Sequence, residues 1–329
     1  MRALLAPSPG GPEVLAVTEV ADPQPGPGEL LVQVAAAGVT RADVLQRQGR
    51  YAPPPGATEV LGLEAAGRVV ALGPPDPARP FHFAVGDDVC AILPGGGCAE
   101  LVALPASVAM PWPSGLDAIG AAAVPEVFTT AHDNLFTRGG LAAGETVLIY
   151  GGSSGVGTAA VQLARRAGCR VLVTASSRRK LDACAELGAD AGIDYAEEDV
   201  VERVRELTDG RGVDVILDVV GARYLEPNLR NLAPEGRLVV IGLMGGARGE
   251  LDLGRLLSKR LTVLGSTLRA RTTAEKAVLA RRLEEEVWPG FADGSLRPVV
   301  DTVLPLARAA EAHELMESSR HIGKIVLTM

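Results

Sequence analysis

From Met1 to about Gly120, apolar runs of strand length alternate with turns rich in proline and glycine: ELLVQVAAAGV (29–39), LGLEAAGRVVALG (61–73), FAVGDDVCAIL (83–93) and CAELVALPASVAMPWP (98–113). Such spacing predicts a compact β-rich domain. Gly86-Asp87-Asp88, set between apolar pairs, supplies the hairpin chemistry it needs. At 117–131 (DAIGAAAVPEVFTTA) the pattern shifts to small residues with helical character, which marks a crossing between domains.

Beyond that crossing the runs at 146–150, 170–174, 191–195, 213–220, 237–241 and 261–264 show little polar alternation, and helical segments such as 177–187 and 197–210 lie between them. Strands without alternation, interleaved with helices, predict a doubly wound α/β parallel sheet covered on both faces. After Gly265 the pattern is helical through 273–294, and the chain closes with a helix at 305–319 and a strand at Lys324–Thr328. The expected division is a β-rich domain made of 1–122 and 268–329 around a doubly wound domain at 123–267.

With 329 residues, 47% of them hydrophobic and 22% charged, the composition fits a soluble globular protein of about two domains. The net charge of −8 argues against a general nucleic-acid surface, which needs clustered cations. Pro7 interrupts the opening apolar residues before a signal core forms, and no run approaches bilayer length, so a cytoplasmic location is expected. Cys90, Cys98, Cys169 and Cys184 are scattered without zinc-like spacing and read as reduced, buried thiols.

The chemistry concentrates at TVLIYGGSSGVG (146–157), where a strand ends in glycines and a helix follows. Gly152, Ser153, Ser154, Gly155, Val156 and Gly157 form a turn suited to a pyrophosphate, because glycine admits close backbone approach and the helix start offers unpaired N–H groups. Ser154 stands where the dinucleotide fingerprint has its middle glycine. The same letters from Gly151 to Gly155 also read as the G-x-S-x-G elbow of α/β-hydrolases, with Ser153 as nucleophile, Asp218 as acid, His313 or His321 as base and Gly95-Gly96-Gly97 as an oxyanion loop. A third reading is a turn that merely packs a helix close to a strand. In a doubly wound sheet the loops at Gly151–Gly157, Ala175–Lys180, Val220–Gly221 and Gly242–Gly246 gather around one crevice.

No acidic residue ends the second strand. Ser176, Ser177, Arg178, Arg179 and Lys180 follow Ala175 instead, and cations in a first helical turn oppose the helix dipole by about 0.3–1 kcal/mol each. Three together predict an anion nearby, so NADP(H) is expected over NAD. Tyr195, at the end of the third strand, reads either as packing against the adenosine or as an ordinary half-buried tyrosine.

Taken together, GVTRADVLQRQGRYAPPPG (38–56), LGLEAAGRV (61–69), VGDDV (85–89), VPEVFTTA (124–131), GGSSGVGTAAVQLA (151–164) and GSTLRAR (265–271) resemble the medium-chain dehydrogenase/reductase superfamily. The resemblance is nearest to its zinc-free quinone oxidoreductase branch, which includes the zeta-crystallin-like enzymes, and runs essentially end to end. It implies a GroES-like catalytic domain beside a Rossmann domain that binds NADP(H). It also implies roles: Thr130 at the nicotinamide amide, the backbone of Gly242, Leu243 and Met244 along its ring, Tyr51 over the substrate cleft with Thr40 and Asp43 nearby, and Arg320 reaching the pyrophosphate.

Zinc-dependent relatives place a cysteine where Thr40 stands and a histidine where Leu63 stands, and they carry a cluster of four closely spaced cysteines absent here, so no metal is expected. Without a Lewis acid to hold an alkoxide, reversible alcohol oxidation is disfavoured. A quinone accepts hydride to give a delocalised anion that can take its proton from water, which makes NADPH-dependent reduction of a quinone or related activated carbonyl the expected reaction. A reductase of enal or enoyl double bonds and a non-catalytic NADPH-binding sensor are the alternatives. Glu64 and Glu126 read as paired structural carboxylates rather than catalytic acids, and none of the four histidines is assigned chemistry. An apolar edge strand at 261–264 makes a homodimer or homotetramer the expected assembly.

Overall fold

A computed structural model describes residues 1–77 and 81–329. They form two compact units, Met1–Thr129 with Leu268–Met329, and Thr130–Thr267. The joint lies inside the helix Pro125–His132, and the chain returns between Thr267 and Leu268.

In the second unit, the sheet among the described residues has six parallel strands in the order Ala191–Asp194, Arg170–Ala175, Thr146–Ile149, Val213–Asp218, Leu232–Val240 and Thr262–Gly265. Thr146–Ile149 and Val213–Asp218 are wholly buried, and with Arg170–Ala175 they supply buried β-branched residues (Val147, Ile149, Val171, Val173, Val215, Ile216), as a sheet covered on both faces requires. The chain builds outward from Thr146–Ile149 on one side and then crosses to Val213–Asp218 on the other. The direction of winding therefore reverses between these two strands, and their carboxyl ends open onto the loops at 150–157 and 219–222. Leu232–Val240 begins earlier than the apolar pattern indicated. Pro234-Glu235-Gly236 runs within the strand, with Glu235 at φ 65° and a register shift opposite Val213/Val215.

The first unit is built on a mostly antiparallel sheet. Its strand order is Val300–Pro305, Lys324–Thr328, Glu29–Val39, Glu64–Leu72, Asp88–Ile92 and Ala109–Pro111, and Leu101–Pro105 also pairs with Glu29–Val39. Leu30, Val32, Val69, Val89, Ala91, Leu104, Ile325 and Leu327 form its core. Two elements carry no clear sequence signal: the ribbon of Arg2–Leu5 with Ala16–Glu19, and the strand Val300–Pro305, whose pairing with Lys324–Thr328 is parallel. The run at 117–131 folds as two helices. Asp117 caps Ala118–Ala122 through the Gly120 amide, and Pro125 starts Pro125–His132.

Lys324–Thr328 pairs antiparallel with the end of Glu29–Val39 (Ile325 opposite Val39), and Glu29–Val39 pairs in turn with Glu64–Leu72. That register carries Lys324 to the buried start of Glu64–Leu72. Among the described residues no helix is long and apolar enough to cross a membrane, and all four cysteines are buried and unpaired.

Candidate active site

The glycine turn of the second unit is closed by backbone contacts that exclude a side chain. A Cβ on Gly157 would lie 2.2 Å from the Gly151 carbonyl oxygen and 2.6 Å from that of Gly152, and one on Gly152 would lie 2.7 Å from Val173 Cβ. Gly151 has φ 67°, and its amide donates to Thr174 Oγ1 at 3.2 Å. Ser154 is the N-cap of Gly155–Arg166, accepting from the Gly157 amide at 3.0 Å. The Gly155 and Val156 amides are left without a hydrogen bond among the described residues. Two open N–H groups at the positive end of a twelve-residue helix fit a pyrophosphate.

The hydrolase reading loses its acid. Asp218 accepts from the Val220 amide (2.6 Å), the Gly221 amide (3.1 Å) and Asn228 Nδ2 (3.0 Å), so both oxygens are taken up holding its own loop. Ser153 is buried and has no hydrogen-bonded base among the described residues. Gly221, at φ 80°, lets that loop meet the next one: the Met244 amide donates to the Val219 carbonyl and the Gly245 amide to Val220. Gly242 abuts Val219, where a Cβ would sit 2.7 Å from its carbonyl oxygen. Gly242–Met244 is thus a braced backbone platform from which the Leu243 and Met244 side chains project, 57% and 63% exposed.

At the second strand the cations divide. Arg178 pairs with Asp182 on its own helix at 2.8 Å and is largely solvated, and Arg179 is also exposed. Lys180 folds inward instead, 8% exposed, with Nζ 3.4 Å from Ser176 Oγ. Ser177 occupies the N-cap of Arg178–Glu186, but its hydroxyl makes no capping bond. The charge pattern treats the three cations alike, whereas the geometry sets Lys180 alone against Ser176. Tyr195 is 46% exposed, and its amide donates to the Ala175 carbonyl at the end of the same strand. Thr130 opens the second unit, its carbonyl accepting from Asn134 Nδ2 at 2.8 Å.

In the first unit Thr40 and Asp43 serve the scaffold. Thr40 caps Arg41–Arg47 in a reciprocal box, and Asp43 Oδ2 accepts from both the Thr40 amide and hydroxyl at 2.7 Å. Asp43 Oδ1 accepts from the Gly62 amide at 3.0 Å, and the side chain is buried, so it presents no free oxygen to a substrate. Tyr51 is only half-buried. Arg269, which the pattern of residues did not single out, fixes it: the guanidinium lies 5.3 Å above the Tyr51 ring and donates to the Tyr51 carbonyl (3.2 Å), the Pro94 carbonyl (2.8 Å) and Gln46 Oε1 (2.6 Å). Burial, and secondarily the charge of Glu126, pushes the Tyr51 phenol above its ordinary pKa, so it is a neutral hydroxyl. Arg320 is exposed on its own unit, with its guanidinium and amide on Ser318 Oγ.

The buried heart of this unit is ionic. Glu64 is 0% exposed, and its Oε1 lies 2.6 Å from Lys324 Nζ, which also donates to the Val39 carbonyl at 2.9 Å. Glu64 Oε2 accepts from the Glu126 amide at 2.8 Å. Gly38 makes room for the pair, since a Cβ there would sit 2.2 Å from Glu64 Oε1. Zinc does not fit this donor set. Thr40 is committed to Asp43, Leu63 offers no donor atom, and Glu64 already faces an ammonium. Among the described residues no group of three His, Cys, Asp or Glu converges as a ligand set.

Two family models match the chain, the alcohol dehydrogenase GroES-like domain over 26–136 and the zinc-binding dehydrogenase over 155–284. A quinone oxidoreductase of Pseudomonas aeruginosa is 35% identical, the match covering 97% of this chain and 96% of that one. The solved Escherichia coli quinone oxidoreductase complexed with NADPH superposes with TM-score 0.89 at 31% identity, over 100% of this chain and 99% of that one. A structure described as an NAD-dependent alcohol dehydrogenase superposes with TM-score 0.88 at 35% identity over 100% of both. Full-length identity of this order, carried on the two sheets described above, places the protein by descent as well as by shape: it belongs to the medium-chain dehydrogenase/reductase superfamily and is quinone-oxidoreductase-like within it.

Proposed function

We propose that the protein is an NADPH-dependent oxidoreductase that reduces a quinone without a metal ion. The observation that carries the reading is the Glu64–Lys324 ion pair beside Thr40 and Leu63, a donor set closed to zinc in a family whose alcohol-oxidising members need it. NADPH, when bound, supplies a hydride. The chain's part is placement: the Gly155 and Val156 amides hold the pyrophosphate, Ser176, Ser177 and Lys180 the 2′-phosphate, and Tyr195 the adenosine. Thr130 and the Gly242–Met244 backbone orient the nicotinamide, and Tyr51, fixed by Arg269, covers the acceptor. Cytoplasmic residence, with the four thiols reduced, belongs to the same proposal.

Oxidation of NADPH that depends on added quinone and is unchanged by chelators is the expected result; no turnover with any quinone would sink the assignment, and faster turnover of enals would move the substrate to conjugated carbonyls. The coenzyme half has its own test. Lys180→Ala removes a charge-assisted bond worth about 1.5–3 kcal/mol, so calorimetry should show NADPH binding weakened roughly 10- to 100-fold. NADH binding should barely change, and equal losses for both would disprove the 2′-phosphate site.

Assembly is proposed as a homodimer through Thr262–Gly265. This strand pairs only with Leu232–Val240 among the described residues, and Val263 on it, like Leu253 and Leu257 on the helix before it, is exposed. A molar mass in solution equal to one chain would refute it.

A further inference from the structure

The first unit contains a cavity of about 660 Å³, within the roughly 300–1,000 Å³ of small-molecule pockets, and every residue that lines it belongs to that unit. Val60, Ile92, Leu101, Leu104 and Val108 make part of its wall apolar. The segment from Arg269 to Lys276 makes another part cationic, with Arg271 as a third basic residue. Glu29 is the one acid in the lining, and its Oε2 accepts from the Gly26 amide at 2.8 Å.

Two of the cations are buried without a counter-charge. Arg269 is 3% exposed and Lys276 4%, and neither forms an ion pair among the described residues. Their hydrogen bonds go to neutral oxygens: Arg269 to the Pro94 and Tyr51 carbonyls and Gln46 Oε1, and Lys276 Nζ to the Arg269 carbonyl at 2.8 Å. Neutral acceptors aim a cation but do not cancel its charge, and a charge taken out of water is costly unless it is paired. The other buried cations of this unit are paired, Arg47 with Glu317 at 2.7 Å and Lys324 with Glu64 at 2.6 Å. Where those two have a carboxylate, Arg269 and Lys276 have a cavity. Burial holds both below their ordinary values against the attraction of Glu126, and Arg269 lowers Lys276 further.

We propose that this cavity binds an amphipathic carboxylate, with its head against Lys276 and Arg269 and its hydrocarbon chain along the apolar wall. The head supplies the charge that the fold withholds. An ammonium has three N–H donors and a guanidinium five, so both side chains keep donors for a ligand beyond the bonds described above. A small inorganic anion would occupy little of the volume and leave the apolar wall wet, whereas a chain removes that surface from water. The site lies within the first unit and is independent of the glycine turn that serves the coenzyme.

Calorimetric titration of the whole protein with decanoate, 1-decanol and acetate separates head from chain. Decanoate should bind, and the alcohol and acetate should each bind roughly tenfold more weakly or worse. Decanol binding as tightly as decanoate, or no binding of decanoate, would overturn the proposal.

Two positions then locate the ligand. Lys276→Met keeps most of the volume and removes the charge, so decanoate affinity should fall roughly 10- to 100-fold while decanol affinity holds; Lys276→Arg should recover part of the loss. Ala103 lies between Val102 and Leu104, which belong to the core, and so stands on the opposite, partly exposed face of Leu101–Pro105. Ala103→Phe should fill the cavity and weaken decanoate and decanol alike. Circular dichroism checks that each variant is folded, and should Lys276→Met not fold, Ala103→Phe and the three-ligand comparison decide. Unchanged decanoate affinity in folded Lys276→Met or in folded Ala103→Phe would show that the ligand binds elsewhere.

Discussion

Lys324→Met is expected to lower the unfolding free energy of the first unit by about 3–5 kcal/mol, the range for breaking a buried ion pair by removing one partner. Methionine preserves most of the volume, so the loss is electrostatic. Glu64, 0% exposed, would be left with only the Glu126 amide as a partner, and the Val39 carbonyl would lose its donor. Removing both charges together, as Glu64→Leu with Lys324→Met, should cost less than Lys324→Met alone, because no uncompensated charge is then buried. Both tryptophans, Trp112 and Trp288, belong to the first unit, so denaturant titration followed by tryptophan fluorescence reports that unit directly. A loss below about 1 kcal/mol would mean that the pair behaves as a solvated surface bridge.

Gly157→Ala should weaken NADPH binding by roughly 100-fold or more, about 3 kcal/mol. The single added carbon would stand 2.2 Å from the Gly151 carbonyl oxygen and 2.6 Å from that of Gly152. Both obstacles are backbone, so no side chain can swing aside, and the start of Gly155–Arg166 must retreat from the turn. The Gly155 and Val156 amides, proposed to hold the pyrophosphate, would retreat with it. Calorimetric titration, with circular dichroism to confirm that the sheet survives, checks this. Affinity within tenfold of the unmodified protein would show that the turn adapts without moving its amides.

These two variants probe features of opposite legibility. Gly157 stands out in the sequence because the glycine turn is local: a strand, a sharp reversal and a helix start follow one another within a dozen residues, and each leaves its own period or residue type. The parallel order of the second unit is legible for a similar reason, since uninterrupted apolar runs between helices admit few other arrangements. The loss of the zinc ligands at Thr40 and Leu63 is likewise a matter of which atoms a side chain carries.

The remaining features needed the folded chain. Lys324 is one of four lysines and looks like a charge before a final strand; only the antiparallel pairing of Lys324–Thr328 with Glu29–Val39 brings it to Glu64, and only the helix Pro125–His132 brings Glu126 to the same place. Thr40 and Asp43 keep the residue types of a polar site, yet the capping box and the Gly62 amide take up their oxygens. Arg178 and Lys180 look alike as charges, but Asp182 draws one toward solvent while the other packs inward beside Ser176. Period and turn chemistry are written in neighbouring residues, and so the sequence by itself determined the two folds and the glycine turn. The charge state and direction of a buried polar group depend on partners brought near by long-range pairing, and that decision belonged to the tertiary structure alone.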